Sequence, residues 1–382
     1  MQDRYQYYTL TLETAAPVFI GCEEKLSQIE YIFSERSNKV YVLDAMKLFL
    51  GLKQYGLLDQ FEEGLSRTTS MTDFVKRNSV PETAYSSWAA YSYSSSGRVV
   101  DRGQMEIQSF IKDAYGLPYI PGSSLKGALR TILAAGRILQ GKAGTGMSER
   151  VKTAVNSEHK NAESNRRGYR MKKSFLKYDS NDLECEVFHT LNRKDKKQDI
   201  VNDCMAGMIV SDSKPIPRDS LILCQKIDAF LETEQSLPIL REAIKTGTSV
   251  SFDLTIDTNL FGFSVAELLS SGNQFFQFYD DRFRSAFLDF IPPEIDHNKE
   301  TYLYLGGGTG FWHKTVLNTL FQKSEEGAAV TADLLDLQFP RARHPAFAES
   351  KKLSPKALKA TEIGNSLEEM GLCKLRIEEK KQ

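Results

Sequence analysis

An α+β fold is what the order of apolar patterns along this 382-residue chain predicts, and three observations carry the prediction. Several short segments alternate apolar and polar residues, the mark of half-buried strands. Two long stretches repeat their apolar residues every three to four positions, as a helix with one buried face does. These segments follow one another as strand, helix, strand, strand, helix, strand, separated by polar stretches too long to be simple connections. At 41% hydrophobic and 26% charged, the chain can bury a core and is neither collagen-like nor wholly disordered.

The opening segment puts Tyr8, Leu10 and Leu12 on one face and Tyr7, Thr9 and Thr11 on the other, which predicts a half-buried strand. Over 44–65, Met46, Phe49, Leu50, Leu57 and Phe61 recur at helical spacing, which predicts two helices broken near Gly56. Residues 84–103 are rich in Ser and Tyr, with turn chemistry at Ser96-Gly97, and read as a loop or surface excursion. A helix is predicted from Ser123 or Ser124, with Leu125, Leu129, Ile132 and Leu139 on one face, ending near Gly141 as the C′ glycine. From 141 to 202 the chain turns polar. Its stretch 150–177 holds nine basic residues against two acids and is expected to be mobile without a partner. Strands follow at 207–211, 220–227 and 249–256. A second long helix opens with the capping box Ser264 to Glu267 and runs toward Phe287, with a break expected at Gly272. TYLYL at 301–305 and LCKLRI at 372–377 are the last strand candidates. The order matches a βαββαβ ferredoxin-like sheet, the architecture that RNA-recognition modules use. The expectation is one RRM-like core from about 1–21, 110–140 and 206–306, elaborated by large insertions at 22–109 and 141–205, with a C-terminal glycine-loop, helix and strand segment over 307–382.

Charge and cysteine content exclude whole classes of function. With 49 basic and 50 acidic residues the formal net charge is −1, so strong general affinity for nucleic acid is not expected, although a local basic face is. Five scattered cysteines without a C-x-x-C pair read as reduced thiols in a cytoplasmic protein. No run approaches about 18 consecutive apolar residues, and MQDRYQYYTLTLE is not a secretory signal, so no membrane partner is expected.

Two motifs could carry chemistry. In Tyr119-Ile120-Pro121-Gly122-Ser123-Ser124-Leu125-Lys126-Gly127-Ala128-Leu129-Arg130 a Pro-Gly turn opens the first long helix. Amides at its N-terminus, the two serines, Lys126 and, one turn on, Arg130 could meet a phosphate there; an ordinary capped helix with surface cations is the alternative. The second motif is Gly306-Gly307-Gly308-Thr309-Gly310, followed by Phe311-Trp312-His313-Lys314-Thr315. A nucleotide-binding P-loop requires glycine immediately before its lysine, and His313 stands there, so that reading fails. A loop packed along an RNA backbone, with Lys314 and Thr315 on phosphate, suits the glycines, and a tight packing turn is the alternative. The histidines His159, His189, His297, His313 and His344 show no ligand spacing. Asp179, Asp182, Glu184, Glu186 and His189 read as a solvated acidic surface, so neither metal nor cofactor is expected. Phe275, Phe276, Phe278, Phe283 and Phe287 read as core, and Trp312 as the one aromatic worth considering for base stacking.

Together these stretches resemble the repeat-associated (RAMP) superfamily of CRISPR proteins. FIKDAYGLPYIPGSSLKGALRTIL (110–133) is similar to the superfamily's entry into its first helix, and GGGTGFWHKT (306–315) to its glycine-rich loop. SPKALKAT (354–361) with GLCKLRI (371–377), and SDS at 211–213, narrow the resemblance to one subunit of the type III-A (Csm) effector complex. The resemblance implies a non-catalytic subunit that caps the backbone filament, binds guide RNA (crRNA) near its 3′ end and is needed for intermediate guides to reach final length, the trimming being done by other nucleases. It implies crRNA and the other complex subunits as partners, with target RNA as a further candidate. By the match, RNA-facing residues would be Gly122, Ser123, Ser124, Lys126 and Arg130, with Gly306, Gly307, Gly308, Thr309, Gly310, Lys314 and Thr315. The alternative is a metal-independent crRNA-processing endoribonuclease of the same superfamily, for which His313 is the nearest base to a recognisable motif. An aspartate-dependent target cutter, through Asp101 or Asp113, is a third.

Overall fold

The computed structural model describes residues 4–65, 70–96, 105–164, 169–172, 174–287, 295, 300–339 and 353–380. Two sheets meet along one seam. The first runs in the order Thr301–Tyr304, Leu372–Glu379, Tyr5–Thr14, Ser249–Asp257, Met208–Val210, every neighbouring pair antiparallel. Its inward rows, Leu10, Leu12, Phe252, Leu254 and Leu375, bury against Leu125, Leu129 and Ile132 of the helix Gly122–Leu139 and Leu268 and Phe275 of the helix Val265–Arg282. Alternation in the strands and 3.6-residue spacing in the helices thus feed one core. The two helices approach closely because Gly136 has no side chain: a Cβ there would lie 2.2 Å from Ser271 Oγ. Ser264 caps the second helix by accepting the Glu267 N–H at 3.0 Å, while the Glu267 carboxylate reaches across to Arg137 at 3.0 Å.

The second sheet runs Gly21–Leu26, Ile107–Phe110, Glu234–Ile244, Leu221–Ala229, Ala89–Ser95, Lys39–Leu43, Tyr31–Ser34. The strand Leu358–Ile363 also pairs with Leu221–Ala229 and forms a hairpin with Ser366–Glu369. The seam is residues 17–20. Val18 and Ile244 exchange backbone hydrogen bonds at 3.0 and 2.8 Å, Pro17 accepts from Gly371 at 2.8 Å, and Phe19 accepts from Gly307 at 2.7 Å.

The α+β class holds, with corrections inside it. Beside the first strand lies Leu372–Glu379, while Thr301–Tyr304 pairs on its far side. Alternation makes a segment a strand but does not choose its neighbour. Here Leu375 and Cys373 supply the buried row, and Lys374 and Arg376 stand 3.7 and 3.9 Å from Glu13. The 220–227 strand belongs to the second sheet. The Ser/Tyr-rich segment is no loop: Ala89–Ser95 is an interior strand, with Trp88 and Tyr93 buried. The turn expected at Ser96-Gly97 extends outside the described residues. Two helices do flank Gly56, at Ala45–Gln54 and Leu58–Leu65, but Met46 and Leu50 are 67% and 56% exposed, so the predicted core face points outward. Val265–Arg282 continues through Gly272 without a break. Much of the basic stretch is an ordered helix, Met147–Ser164, because Met147, Val151 and Val155 bury one side and Arg150 ties to Asp179 and Asp182 at 2.8 and 2.7 Å. Among the described residues no helix is long and apolar enough to cross a membrane.

Candidate nucleic-acid interface

The first long helix starts at Gly122, and Pro121 rather than a serine holds the cap position without a side-chain bond. The anion expected at this helix start is supplied by the protein itself: the Gly122 N–H donates to Asp212 Oδ1 at 2.8 Å. The edge strand Met208–Val210 passes so close that a Cβ on Gly122 would lie 2.4 Å from the carbonyl oxygens of Val210 and Ser211. Ser213 completes the clamp by accepting the Ile120 N–H at 2.9 Å. Ser123 is exposed and Ser124 half-buried. Lys126 Nζ donates to the Met208 carbonyl at 2.7 Å, and burial lowers its pKa. Arg130 holds Asp203 at 2.8 Å through Nη1 and Glu184 through Nη2 and Nε, with its guanidinium 3.9 Å above the Phe188 ring. Both cations of this motif are therefore engaged within the chain.

The glycine loop is built by close approach. Leu305 N–H donates to Gly371 O at 2.8 Å, and a Cβ on Gly306 would sit 2.2 Å from Phe19 O. Gly306, Gly308 and Gly310 take φ of +86°, +97° and +84°, where a side chain is strained. Thr309 is buried, its hydroxyl 3.3 Å from Gly306 O. Beyond the loop the chain turns inward. Trp312 packs among Phe278, Tyr279 and Phe283 and is core, not a stacking platform. His313, its side chain 4% exposed, stacks on Tyr304 with ring centroids 3.4 Å apart. Beside it Glu369 accepts from Tyr279, from Tyr304 at 2.8 Å and from Arg284 at 3.1 Å, all buried. Burial pushes the His313 imidazole below its ordinary pKa despite Glu369, 3.7 Å away. Lys314 then returns to the surface, and Thr315 Oγ1 accepts the Leu317 N–H at 3.0 Å. Lys314 and Thr315 line a groove of about 230 Å³ with Arg130, Thr131, Glu184 and Phe188, so the two motifs converge on one surface.

Three further cations stand near the loop, and of these only Lys359 lies in a motif, SPKALKAT. Arg241 Nη1 lies 2.7 Å from where a Gly308 Cβ would stand, and Lys359 Cγ lies 3.4 Å from that of Gly310. Lys226 is pushed below the ordinary lysine range by burial first, then by Lys359, Arg241 and Lys314, with Asp228 opposing. Each is a lone basic residue in a strand, and only the pairing of distant strands gathers them.

The acidic run lies on the surface, with Asp182 and Glu186 exposed and His189 buried, and it is tied to basic and amide partners. Asp179 and Asp182 pair with Arg150, Glu184 with Arg130, and Glu186 accepts the Gly144 N–H at 3.0 Å. Among the described residues no group of three or more His, Cys, Asp or Glu is placed to hold a metal. Asp101 lies outside the described residues, and Asp113 folds a turn by accepting the amides of Tyr115 and Leu117, each at 2.9 Å.

Residues 11–311 match the model of the RAMP superfamily, and the chain belongs to that superfamily. Within it, the chain is similar to the "CRISPR system Cms protein Csm5" of Streptococcus thermophilus, 32% identical over 330 residues that cover 83% of this chain and 82% of that protein. The same-named protein of Mycobacterium tuberculosis (strain CDC 1551 / Oshkosh) is 28% identical over 401 residues, 97% of each chain. Two solved structures share the fold. The crystal structure of T. onnurineus Csm5 has a TM-score of 0.60 at 19% identity, covering 95% of this chain and 99% of that one. A chain of the cryo-EM structure of the Csm-crRNA-target RNA ternary complex of a type III-A CRISPR-Cas system has 0.59 at 21%, covering 97% and 100%.

Proposed function

We propose that this chain is a non-catalytic, RNA-binding subunit of a cytoplasmic type III-A CRISPR surveillance complex, partnered by crRNA, by sister subunits and, through the assembly, by target RNA. Similarity to Csm5 proteins along most of the chain supports the placement, as does the fold shared with a chain of a Csm-crRNA-target RNA assembly. Within that complex it caps the backbone filament at the crRNA 3′ region and is needed for intermediate crRNA to mature to final length. The first sheet and its two helices act as an RRM-like core, with 22–109 and 141–205 as elaborations. The observation that carries the RNA reading is the exposed Lys314 with Thr315 beside a tightly curled glycine loop, at a groove shared with the first long helix. Gly306 to Gly310, Lys314 and Thr315 meet RNA backbone, as do Ser123 and Ser124 at the start of the first long helix. Gly122, Lys126 and Arg130 act mainly by fixing that helix.

Purification from the native host with sequencing of the bound RNA tests this: repeat-spacer guides recovered with sister subunits are expected, and recovery of neither RNA nor partners would end the reading. The competing endoribonuclease needs a base that reaches a 2′-hydroxyl, and the burial of His313 beneath Tyr304 weighs against it. Repeat RNA incubated with the purified chain in EDTA is expected to stay intact. Clean cleavage lost in His313→Ala would establish the enzyme instead.

A further inference from the structure

We propose that Lys226, Arg241, Lys314 and Lys359 form a phosphate site for single-stranded RNA beside the glycine loop, and that the carboxylate of Asp228 stands in for the phosphate while RNA is absent. The proposal rests on the RNA-binding reading above and names a site for it. Three strands of the second sheet deliver the cations: Leu221–Ala229 carries Lys226 and Asp228, Glu234–Ile244 carries Arg241, and Leu358–Ile363 carries Lys359. The first sheet delivers the loop and Lys314. Strands from both sides of the seam thus place four positive charges round one stretch of backbone, against one carboxylate.

That carboxylate leaves the cluster under-neutralised. Asp228 Oδ2 holds Lys359 at 2.8 Å, whereas Oδ1 lies 3.8 Å from Lys226, is buried and has no hydrogen-bond partner. Lys226, Lys359 and Asp228 are all largely buried, so like charges repel here with little screening. A fold gains nothing from such a cluster unless an anion completes it. Arg241 is pre-oriented, its Nε on Gln108 Oε1 at 3.0 Å and its guanidinium 5.0 Å over Phe19. No carbonyl of the described residues takes the amides of Gly308 and Gly310. Left-handed glycines interleaved with ordinary backbone form the kind of amide concavity that binds anions. Lysine, arginine and amide donors recognise a phosphodiester oxygen without reading the base, as a subunit that accepts guides of any sequence must.

The test is binding of labelled single-stranded RNA of mixed sequence to the full chain across a salt series. Lys226→Ala/Lys359→Ala is expected to weaken binding by roughly tenfold or more and to reduce the salt slope by about 1.4, two phosphate contacts' worth on a single strand. Asp228→Asn is expected to move affinity the other way, tightening it several-fold. Lys76→Ala/Lys323→Ala, which removes two surface charges elsewhere, should change neither affinity nor slope. Lys314→Ala, at an exposed position, repeats the reading where a folding defect is not a concern. RNA binding that both lysine variants and Asp228→Asn leave unchanged would overturn the site and spare the RNA reading. Absence of RNA binding by the wild-type chain, alone and with its sister subunits, would remove both. Equal weakening by Asp228→Asn and the lysine variants would make Asp228 a strut for the lysines and overturn its role as stand-in.

Discussion

Single residues carry constraints here that composition does not show. Gly308 combines φ of +97° with Arg241 at 2.7 Å from its missing Cβ, so Gly308→Ala is expected to lower stability by about 1–3 kcal/mol in urea unfolding. Gly127 is the contrast: helical and with open space around its Cβ position, it should gain about 0.5–1 kcal/mol as Ala. A result with the two signs exchanged would contradict the loop geometry. The glycine run was legible in the sequence because four glycines in five positions are an unusual local pattern. What surrounds it was not, because Lys226, Arg241 and Lys359 sit alone in strands far apart along the chain. The helix entrance shows the opposite failure. Its pattern fits a phosphate, but Asp212, distant in sequence, already holds the Gly122 amide. A local motif cannot reveal that its counter-ion is supplied by another segment.

Elements were read best where burial is one-sided. Leu10 and Leu12 alternate and are fully buried, and the two long helices lie where their apolar spacing puts them, because each packs one face on one sheet. The Ser/Tyr-rich strand is hard to read because serine and glycine chemistry near Ser96 resembles a turn, while its buried row is built of Tyr93 and Ser95 instead of aliphatic residues. In Ala45–Gln54 the spacing was right but Met46 and Leu50 face solvent, since periodicity marks a face without saying what meets it. The helix crossing offers the element-level test. Gly136→Ala puts a methyl 2.2 Å from Ser271 Oγ and 3.0 Å from its Cα, and should destabilise by about 1–3 kcal/mol through forced separation of the two helices. An unchanged urea midpoint would mean that the crossing is loose.

At the scale of the molecule, the buried group around Glu369 links the second long helix, the glycine-loop segment and the last hairpin, and it sets how the protein responds to acid. Burial opposes its charge, yet His313, Arg284 and Tyr279 hold the Glu369 carboxyl below its ordinary pKa, so its contribution is present above about pH 4.5 and is lost as pH falls through the lowered value. His313 is held below 6.5, so the unfolded chain takes up a proton that the folded one refuses, and stability declines as pH drops from near 6.5. Urea midpoints are therefore expected to fall between pH 7 and 5.5, and less steeply in His313→Phe; parallel curves would show that the ring titrates as if exposed. Glu369→Gln at neutral pH should cost about 3 kcal/mol, because it takes a buried charge partner from Arg284. Which strands neighbour one another at this scale was beyond the sequence, since pairing across the chain leaves no periodic trace. The strand Leu372–Glu379 gives that long-range pairing a consequence in time. It lies between Tyr5–Thr14 and Thr301–Tyr304, joined to both by backbone hydrogen bonds. While a ribosome is still reading the codons before 372, that slot is vacant and two strands offer bare edges to any passing chain. During synthesis, then, both edges wait for the last strand, and a chain cut short before 372 is expected to aggregate more readily than the full one.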